Sequence, residues 1–368
     1  MSFEKIKGKL GFGMMRLPMQ GQKVDLEQTK QMVDYFMSQG FNYFDTAHPY
    51  IGGQSEEVIK ELLTSRYPRE DYILANKLSN STWEEKEEIR PQIEKQLEIC
   101  GVDYFDFFLM HAQNAERFIK YRDKGAYDLV FEMKKEGKLK HVGLSFHDQP
   151  EVLDEILRTY PEIEFVQIQY NYLDLDDPNV KSQGCYEVCR KHNKPMIVME
   201  PVKGGTLANL PALAGEVFDK LDNGTAASYA LRYVAEKEGI FMILSGMSNM
   251  AQVEDNLSFM KEPQPLSPQE HEAVKTVTDI LKQQETIACT ACQYCVEGCP
   301  MDILIPDLFH AYNNLQVFDD QEQRQVYDGL TDLNGKASEC IACGQCEGQC
   351  PQNLEIIDLM VKVAQTFE

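Results

Sequence analysis

No apolar run in the chain approaches the roughly 20 residues that a helix needs to cross a bilayer, so no membrane span is expected. Basic residues are scarce: 36 Lys and Arg stand against 59 Asp and Glu, a formal net charge of -23. Nucleic acids and anionic membrane surfaces are bound through clustered Lys and Arg, so neither is expected as a partner, and the acidic balance reads as solubility. The N-terminus, Met1-Ser2-Phe3-Glu4-Lys5, is polar and runs within a few residues into a strand-like segment, which leaves no room for a signal peptide. A cytoplasmic protein is expected. Cysteine is rare in the first three quarters of the chain: of eleven, only Cys100, Cys185 and Cys189 precede residue 288. Without an export signal the remainder do not read as structural disulfides, because the cytosol keeps thiols reduced, and metal is the better reading. Also missing is the Gly-x-Gly-x-x-Gly turn of doubly wound dinucleotide-binding sheets, since Gly11 and Gly13 are followed by Met14-Met15-Arg16.

At 368 residues the chain exceeds the usual size of one domain, and the uneven cysteine distribution suggests where it divides. Lys261-Glu262-Pro263-Gln264-Pro265-Leu266-Ser267-Pro268 closes the first region, and a polar helix around residues 269–284 leads into the second. The predicted domains are residues 1–284 and 285–368.

In the first region eight short apolar or β-branched runs recur, at 10–15, 41–45, 72–77, 105–110, 141–145, 165–170, 196–200 and 241–245. Between them lie segments such as Leu26 to Met37, Ile89 to Ile99 and Thr225 to Val234, with apolar residues at three- and four-residue spacing. Strands alternating with helices pair in parallel, and eight such units predict an α/β fold, a closed (β/α)₈ TIM barrel, in preference to the open doubly wound sheet. A barrel carries its chemistry at the C-terminal ends of its strands. There stand Asp45, Lys77 and His111, with Tyr50 one short loop after Asp45. Each alone has an ordinary structural explanation, a helix cap, a solvated amine or a packing ring. Four converging on one barrel mouth read as a catalytic set.

The run Phe44-Asp45-Thr46-Ala47-x-x-Tyr50 with Ser55-Glu56 behind it, Lys77 after the third strand and Leu109-Met110-His111 after the fourth resemble the aldo-keto reductases, over nearly all of residues 1–284. The resemblance implies hydride transfer from NADPH or NADH to a carbonyl carbon, with Tyr50 giving a proton to the oxygen. A free phenol titrates near 10, so the donor needs a nearby positive charge, here Lys77. Asp45 pairs with that lysine, and His111 orients the substrate oxygen. Family members that reduce a carbon–carbon double bond carry glutamate in place of this histidine.

The same resemblance assigns cofactor contacts to Ser145 and Gln167 at the nicotinamide carboxamide. The Asn that normally follows the serine is Phe146 here, and His147 either replaces it or has a capping or packing role. Pro201, Lys203 and Gly204 lie in Glu200-Pro201-Val202-Lys203-Gly204-Gly205, which looks like the pyrophosphate-covering loop, and Met199 takes the place of a stacking aromatic. Gly246, Ser248, Gln252 and Asn256 belong to the adenosine-phosphate segment, which lacks the Lys and Arg that usually grip a 2′-phosphate.

The second region carries Cys289-x-x-Cys292-x-x-Cys295-x-x-x-Cys299-Pro300, and Cys340-x-x-Cys343-x-x-Cys346-x-x-x-Cys350-Pro351 repeats that spacing. Thiolates so spaced wrap a cubane with three ligands, and the fourth of each run ligates the other cluster. The prediction is therefore two [4Fe-4S] clusters, one on Cys289, Cys292, Cys295 and Cys350, the other on Cys340, Cys343, Cys346 and Cys299. Two zinc sites are the alternative, disfavoured by the duplicated Cys-Pro ending. Helices predicted over 303–317 and 321–330 make this region resemble the helical ferredoxin-like domains of respiratory reductase subunits. Cys185 and Cys189, one helical turn apart, read with Cys100 as packing thiols.

The whole reads as an oxidoreductase that reduces an aldehyde or ketone, or oxidises the alcohol, with clusters that exchange electrons with an external carrier such as a ferredoxin. Two other readings stay open: an electron-transfer module whose clusters are the functional site, and a reductase whose clusters are structural staples.

Overall fold

The computed structural model describes residue 3 and residues 5–284, 286–318 and 320–368. Met1, Ser2 and Glu4 of the N-terminal segment, and Glu285, the expected first residue of the C-terminal domain, lie outside the described residues.

Each of the eight expected strands is present: β1 (Leu10–Gly13), β2 (Tyr43–Asp45), β3 (Ile73–Leu78), β4 (Phe105–Gln113), β5 (Leu139–Phe146), β6 (Phe165–Gln169), β7 (Met196–Met199) and β8 (Ile240–Ser245). Each pairs in parallel with the next, and β8 returns to β1, which closes the barrel. The strands are buried on both sides because helices cover the outside while side chains fill the inside. Strand side chains alternate between these faces. One alternate set, Tyr43, Ile73, Ala75, Phe107, Leu109, Phe165, Ile197, Met242 and Leu244, forms a single buried cluster. Gly143 belongs to that layer, beside Leu109 and Phe165 in register. A Cβ there would meet the Phe165 carbonyl oxygen at 2.5 Å and its ring at 2.6 Å. Gly143→Ala is therefore expected to overpack the barrel interior and cost about 2 kcal/mol, read as a lower midpoint of thermal unfolding.

The described chain divides into two compact units, Met1–Pro201 with Ala230–Pro265, and Val202–Tyr229 with Leu266–Glu368. The second unit thus takes in more than the cysteine-rich region. Its helix Ala212–Asp219 packs on helix Pro268–Lys282, which opens with Pro268 at its first turn and a Ser267/Glu270 capping box. Helices Ile305–Phe318, Gln323–Thr331 and Ile356–Phe367 surround a core that includes Leu308, Phe309, Tyr312, Tyr327, Met360 and Val363, and that core also contains Cys295 and Cys346. The Asn313 side chain accepts the Ile287 amide at 2.7 Å and donates to the Ile287 carbonyl at 2.8 Å, so the segment entering the first cysteine motif is tied down. No helix among the described residues is long and apolar enough to cross a membrane.

Candidate active site and cysteine motifs

The inward alternation of the barrel layer carries on to its chemistry. Tyr43 is followed two residues later by Asp45, Ala75 by Lys77, Leu109 by His111, Gly143 by Ser145 and Phe165 by Gln167. Each of these polar groups therefore shares the inward face at the C-terminal end of its strand. Lys77 is fully buried, and its Nζ donates to Asp45 Oδ1 at 2.5 Å and to the Thr46 carbonyl at 2.8 Å. Burial pulls the Lys77 amine below its ordinary value, and burial raises Asp45, each opposed by its partner's charge. The ammonium sits 4.7 Å from the centroid of the Tyr50 ring, and that ring meets the His111 imidazole edge-on at 6.0 Å. Tyr50 opens a short 3₁₀ turn through Gly53 and is 7% exposed, so its phenol belongs to the buried mouth.

His111 is held well below the usual histidine range, first by burial and then by the charges of Lys77, His147 and Arg117. The ring is thus neutral near pH 7, a donor at one nitrogen and an acceptor at the other. The hydroxyl of Ser79, one residue beyond β3, lies 2.6 Å from Nδ1. Ser145, expected at the nicotinamide, accepts the Ala112 amide at 2.7 Å and thereby holds the residue next to His111. Gln167 donates to Met199 Sδ at 3.4 Å, while its Oε1 is buried without a partner among the described residues, as is Asp45 Oδ2. Two buried acceptors at one mouth fit a bound molecule that brings donors there, such as a carboxamide or sugar hydroxyl. Phe146, in place of the usual Asn, is buried and apolar.

The family-like Glu56 is more than a motif marker. It is fully buried, and its carboxylate lies 2.7 Å from His48 Nδ1, accepts Asn76 Nδ2 at 2.7 Å and accepts Gln96 Nε2 at 3.0 Å. His48 stands in the loop that leads to Tyr50, and Asn76 precedes Lys77, so one carboxylate braces both sides of the candidate set. His48, Asn76 and Gln96 carried no signal in the sequence; only the fold brings them onto Glu56.

At the adenosine-phosphate segment, Gly246 lies against the side chain of Arg16, whose Cγ and Cδ a Cβ would meet at 3.2 and 3.1 Å. The Ser248 hydroxyl donates to the Arg16 carbonyl, and the guanidinium pairs with Glu200 at 2.9 Å. A basic residue is therefore present beside this segment, supplied by the loop after β1 and not by the segment itself. Gln252 accepts the Ser248 amide at 2.7 Å, and Asn256 donates to the Ser245 hydroxyl at 3.0 Å, so both engage the segment from the following helix, Met250–Met260. Pro201 ends the first stretch of the barrel unit and is buried. Lys203 and Gly204 belong to the second unit. Lys203 is 6% exposed, and Gly204, at φ 62°, packs so tightly that a Cβ would meet the Thr290 backbone at 2.8 Å. Thr290 lies inside the first cysteine motif.

That motif converges with the end of the other. Burial pushes the Cys295 thiol up, and its neighbours Cys292, Cys289 and Cys350 push it further. A cysteine 55 positions away thus lies with the first three. Burial likewise raises Cys350, opposed by the amides of Leu354, Gln352 and Asn353. Cys299, Cys340, Cys343 and Cys346 line one small recess, walled by Ile303, Ile356 and Met360. Among the described residues no three His, Cys, Asp or Glu side chains are close enough to hold a single metal ion. Two groups of four thiols, each drawn from both motifs, are a donor set of the kind that [4Fe-4S] clusters take, and bound iron would reverse the upward shifts by favouring thiolates. No disulfide is formed among the described residues, and Cys100, Cys185 and Cys189 are buried.

Residues 9–279 match the model of the aldo/keto reductase family, and residues 288–355 match that of the 4Fe-4S dicluster domain. The chain is 24% identical over 264 residues to the NADH-specific methylglyoxal reductase of Escherichia coli (strain K12), covering 60% of this chain and 78% of that protein. It is 26% identical over 270 residues to the L-galactose dehydrogenase of Arabidopsis thaliana, covering 66% and 81%. Among solved structures, the holo form of an aldo-keto reductase from Bacillus halodurans superposes with a TM-score of 0.58 at 23% identity, over 73% of this chain and 91% of that one. An aldo-keto reductase from Klebsiella pneumoniae in complex with NADPH gives the same TM-score at 18% identity, over 73% and 90%. With its barrel fold and most of its length matched in this way, the chain belongs to the aldo/keto reductase family and carries a 4Fe-4S dicluster domain C-terminal to that match in sequence.

Proposed function

We propose that this oxidoreductase reduces an aldehyde or ketone with NADPH or NADH, or oxidises the corresponding alcohol, using Tyr50 as the proton donor. The observation that carries the reading is the gathering of Asp45, Lys77 and His111 at inward-facing strand ends, with the Tyr50 ring from the turn after β2 set against Lys77 and His111. When bound, a reduced nicotinamide supplies a hydride to the carbonyl carbon. The protein's part is to meet the charge that grows on oxygen. His111 donates a hydrogen bond to that oxygen, Tyr50 transfers its proton, and the Lys77 ammonium stabilises the phenolate left behind. Asp45 keeps Lys77 in place. Ser145 and Gln167 hold the carboxamide, Pro201, Lys203 and Gly204 the pyrophosphate, and Gly246, Ser248, Gln252 and Asn256 the adenosine end.

Residues 1–284 act as the reductase and 285–368 as the cluster domain, in the cytoplasm, with Cys289, Cys292, Cys295 and Cys350 holding one [4Fe-4S] cluster and Cys340, Cys343, Cys346 and Cys299 the other. When bound, the clusters supply one-electron exchange with an external carrier such as a ferredoxin. A second reading makes them structural staples. It is favoured by the membership of Cys295 and Cys346 in the core of their unit.

Anaerobic protein mixed with NADPH or NADH separates the two, with nicotinamide absorbance and cluster bleaching followed together. Bleaching by either nucleotide excludes pure staples. Turnover of a carbonyl by the cluster-loaded protein, with the clusters left unbleached throughout, favours staples. The same titration reads cofactor choice. With Arg16 engaged by Glu200 and no other basic side chain contributed by the segment from Gly246 to Asn256, NADPH is expected to be preferred only modestly, and one relative is an NADH-specific enzyme. A preference of about a thousandfold, about 4 kcal/mol, would mean that Arg16 leaves Glu200 for the 2′-phosphate.

A further inference from the structure

We propose that Ser79 is a positioning residue that sets the tautomer of His111, so that Nε2 carries the proton offered to the substrate oxygen. Ser79 is 3% exposed, and its Oγ lies 2.6 Å from His111 Nδ1. Its backbone carbonyl accepts both the amide and the hydroxyl of Thr82, at 3.1 and 2.8 Å, which fixes the residue in a tight turn at the mouth. Among the described residues His111 Nδ1 is the hydrogen-bond partner of the Ser79 hydroxyl. Two arrangements of the shared proton are possible. If Nδ1–H donated to Ser79, the serine's own proton would be buried with no acceptor, and Nε2 would be bare. If Ser79 donates to Nδ1, the hydroxyl proton is satisfied and the imidazole proton must sit on Nε2. A buried donor left unpaired shifts such a balance on the order of tenfold or more, so the second arrangement prevails.

The backbone around His111 is pinned from three directions: the Ala112 amide by Ser145, the Ala112 carbonyl by Arg117 at 2.9 Å, and the His111 carbonyl by Gln113 Nε2 at 3.2 Å. The position of the ring is thus given by the strand, and the location of its proton by Ser79. A carbonyl oxygen has only lone pairs to offer, so a ring with a bare Nε2 would repel it while one with Nε2–H binds it. Nothing in the motif around Lys77 marks the serine; it becomes visible when β3 and β4 lie side by side.

The inference bears on the reductase reading through His111, but the tautomer is measurable without turnover. Histidine-labelled ¹⁵N spectra of the oxidised, cluster-loaded protein, with the His111 signals assigned by their loss in His111→Asn, report which nitrogen is protonated. Expected is a neutral ring protonated at Nε2 in the wild type, a mixed or reversed pattern in Ser79→Ala, and restoration in Ser79→Thr, which keeps the hydroxyl. In parallel, kcat for carbonyl reduction should fall on the order of tenfold in Ser79→Ala with nucleotide affinity unchanged, and Ser79→Thr should recover it. A wild-type ring protonated at Nδ1, or a Ser79→Ala ring unchanged in both spectrum and kcat, overturns the proposal. Wild-type Nε2 protonation lost in Ser79→Ala, in a protein that reduces no carbonyl, would sink the reductase reading and leave the tautomer assignment standing.

Discussion

Tyr50→Phe is expected to lower carbonyl reduction about a thousandfold while nucleotide affinity stays within twofold, because the variant removes one hydroxyl and keeps the ring. The ring packs against His111 and the Lys77 ammonium, and phenylalanine preserves both contacts. General acid catalysis by a positioned side chain contributes about 10²- to 10⁴-fold, so the loss should appear in kcat. Lys77→Met should lose a similar factor for a different reason. It leaves Asp45, which is 2% exposed and otherwise pairs with Lys77 at 2.5 Å, as a buried carboxylate without its counter-charge. Removing one partner of a buried pair costs about 3–5 kcal/mol, so this variant should also unfold at lower temperature. Adding Asp45→Asn to it should recover stability and leave activity low. Because His111 is already neutral, no rise in rate is expected as pH climbs through the ordinary histidine range near 6.5. Steady-state oxidation of NADPH with an aldehyde, beside fluorescence titration of the nucleotide, measures these effects. Retained turnover in Tyr50→Phe would require another proton donor.

Cys350→Ser is expected to cost the protein the cluster held by Cys289, Cys292 and Cys295, although 55 residues separate Cys350 from Cys295. Cys350 stands with those three thiols, whereas Cys299 shares its recess with Cys340, Cys343 and Cys346. Each cluster would then tie together distant segments, and ligand loss would propagate into folding because metal binding and the packing of a small domain are thermodynamically linked. Cys295 and Cys346 are themselves part of the core that includes Tyr312, Tyr327 and Met360. The expected readings are a fall in bound iron by about half or more, loss of one signal in electron paramagnetic resonance of the reduced protein, and a lower unfolding temperature. Cys299→Ser should do the converse to the other cluster. If Cys350→Ser instead spared the Cys289 group and removed the cluster of its own motif, the crossed assignment would be wrong.

Much of this was legible along the chain. The eight strands were found within a few residues of their expected bounds because each is an apolar run between turn residues, a local property. Asp45, Lys77 and His111 were legible for the same reason, since period-two alternation carries Tyr43, Ala75 and Leu109 onto them, and a closed barrel makes every strand end part of one mouth. Cysteine spacing was equally local in its meaning: three thiols within seven residues and a Cys-Pro after them restrict the metal chemistry before any fold is known.

The tertiary structure decided which residues complete these sets. Arg16 and Ser248 are 232 positions apart, yet share a hydrogen bond because β8 closes onto β1. Ser79 reaches His111, and Glu56 reaches His48, Asn76 and Gln96, across pairs of elements that no spacing rule connects. The packing of helix Ala212–Asp219, with its buried Ala214 and Phe218, on helix Pro268–Lys282 was likewise decided by the fold. Periodicity and motif spacing are properties of neighbours in the chain. Contacts between distant residues depend on how the barrel closes and how helices pack, so they had to wait for the fold.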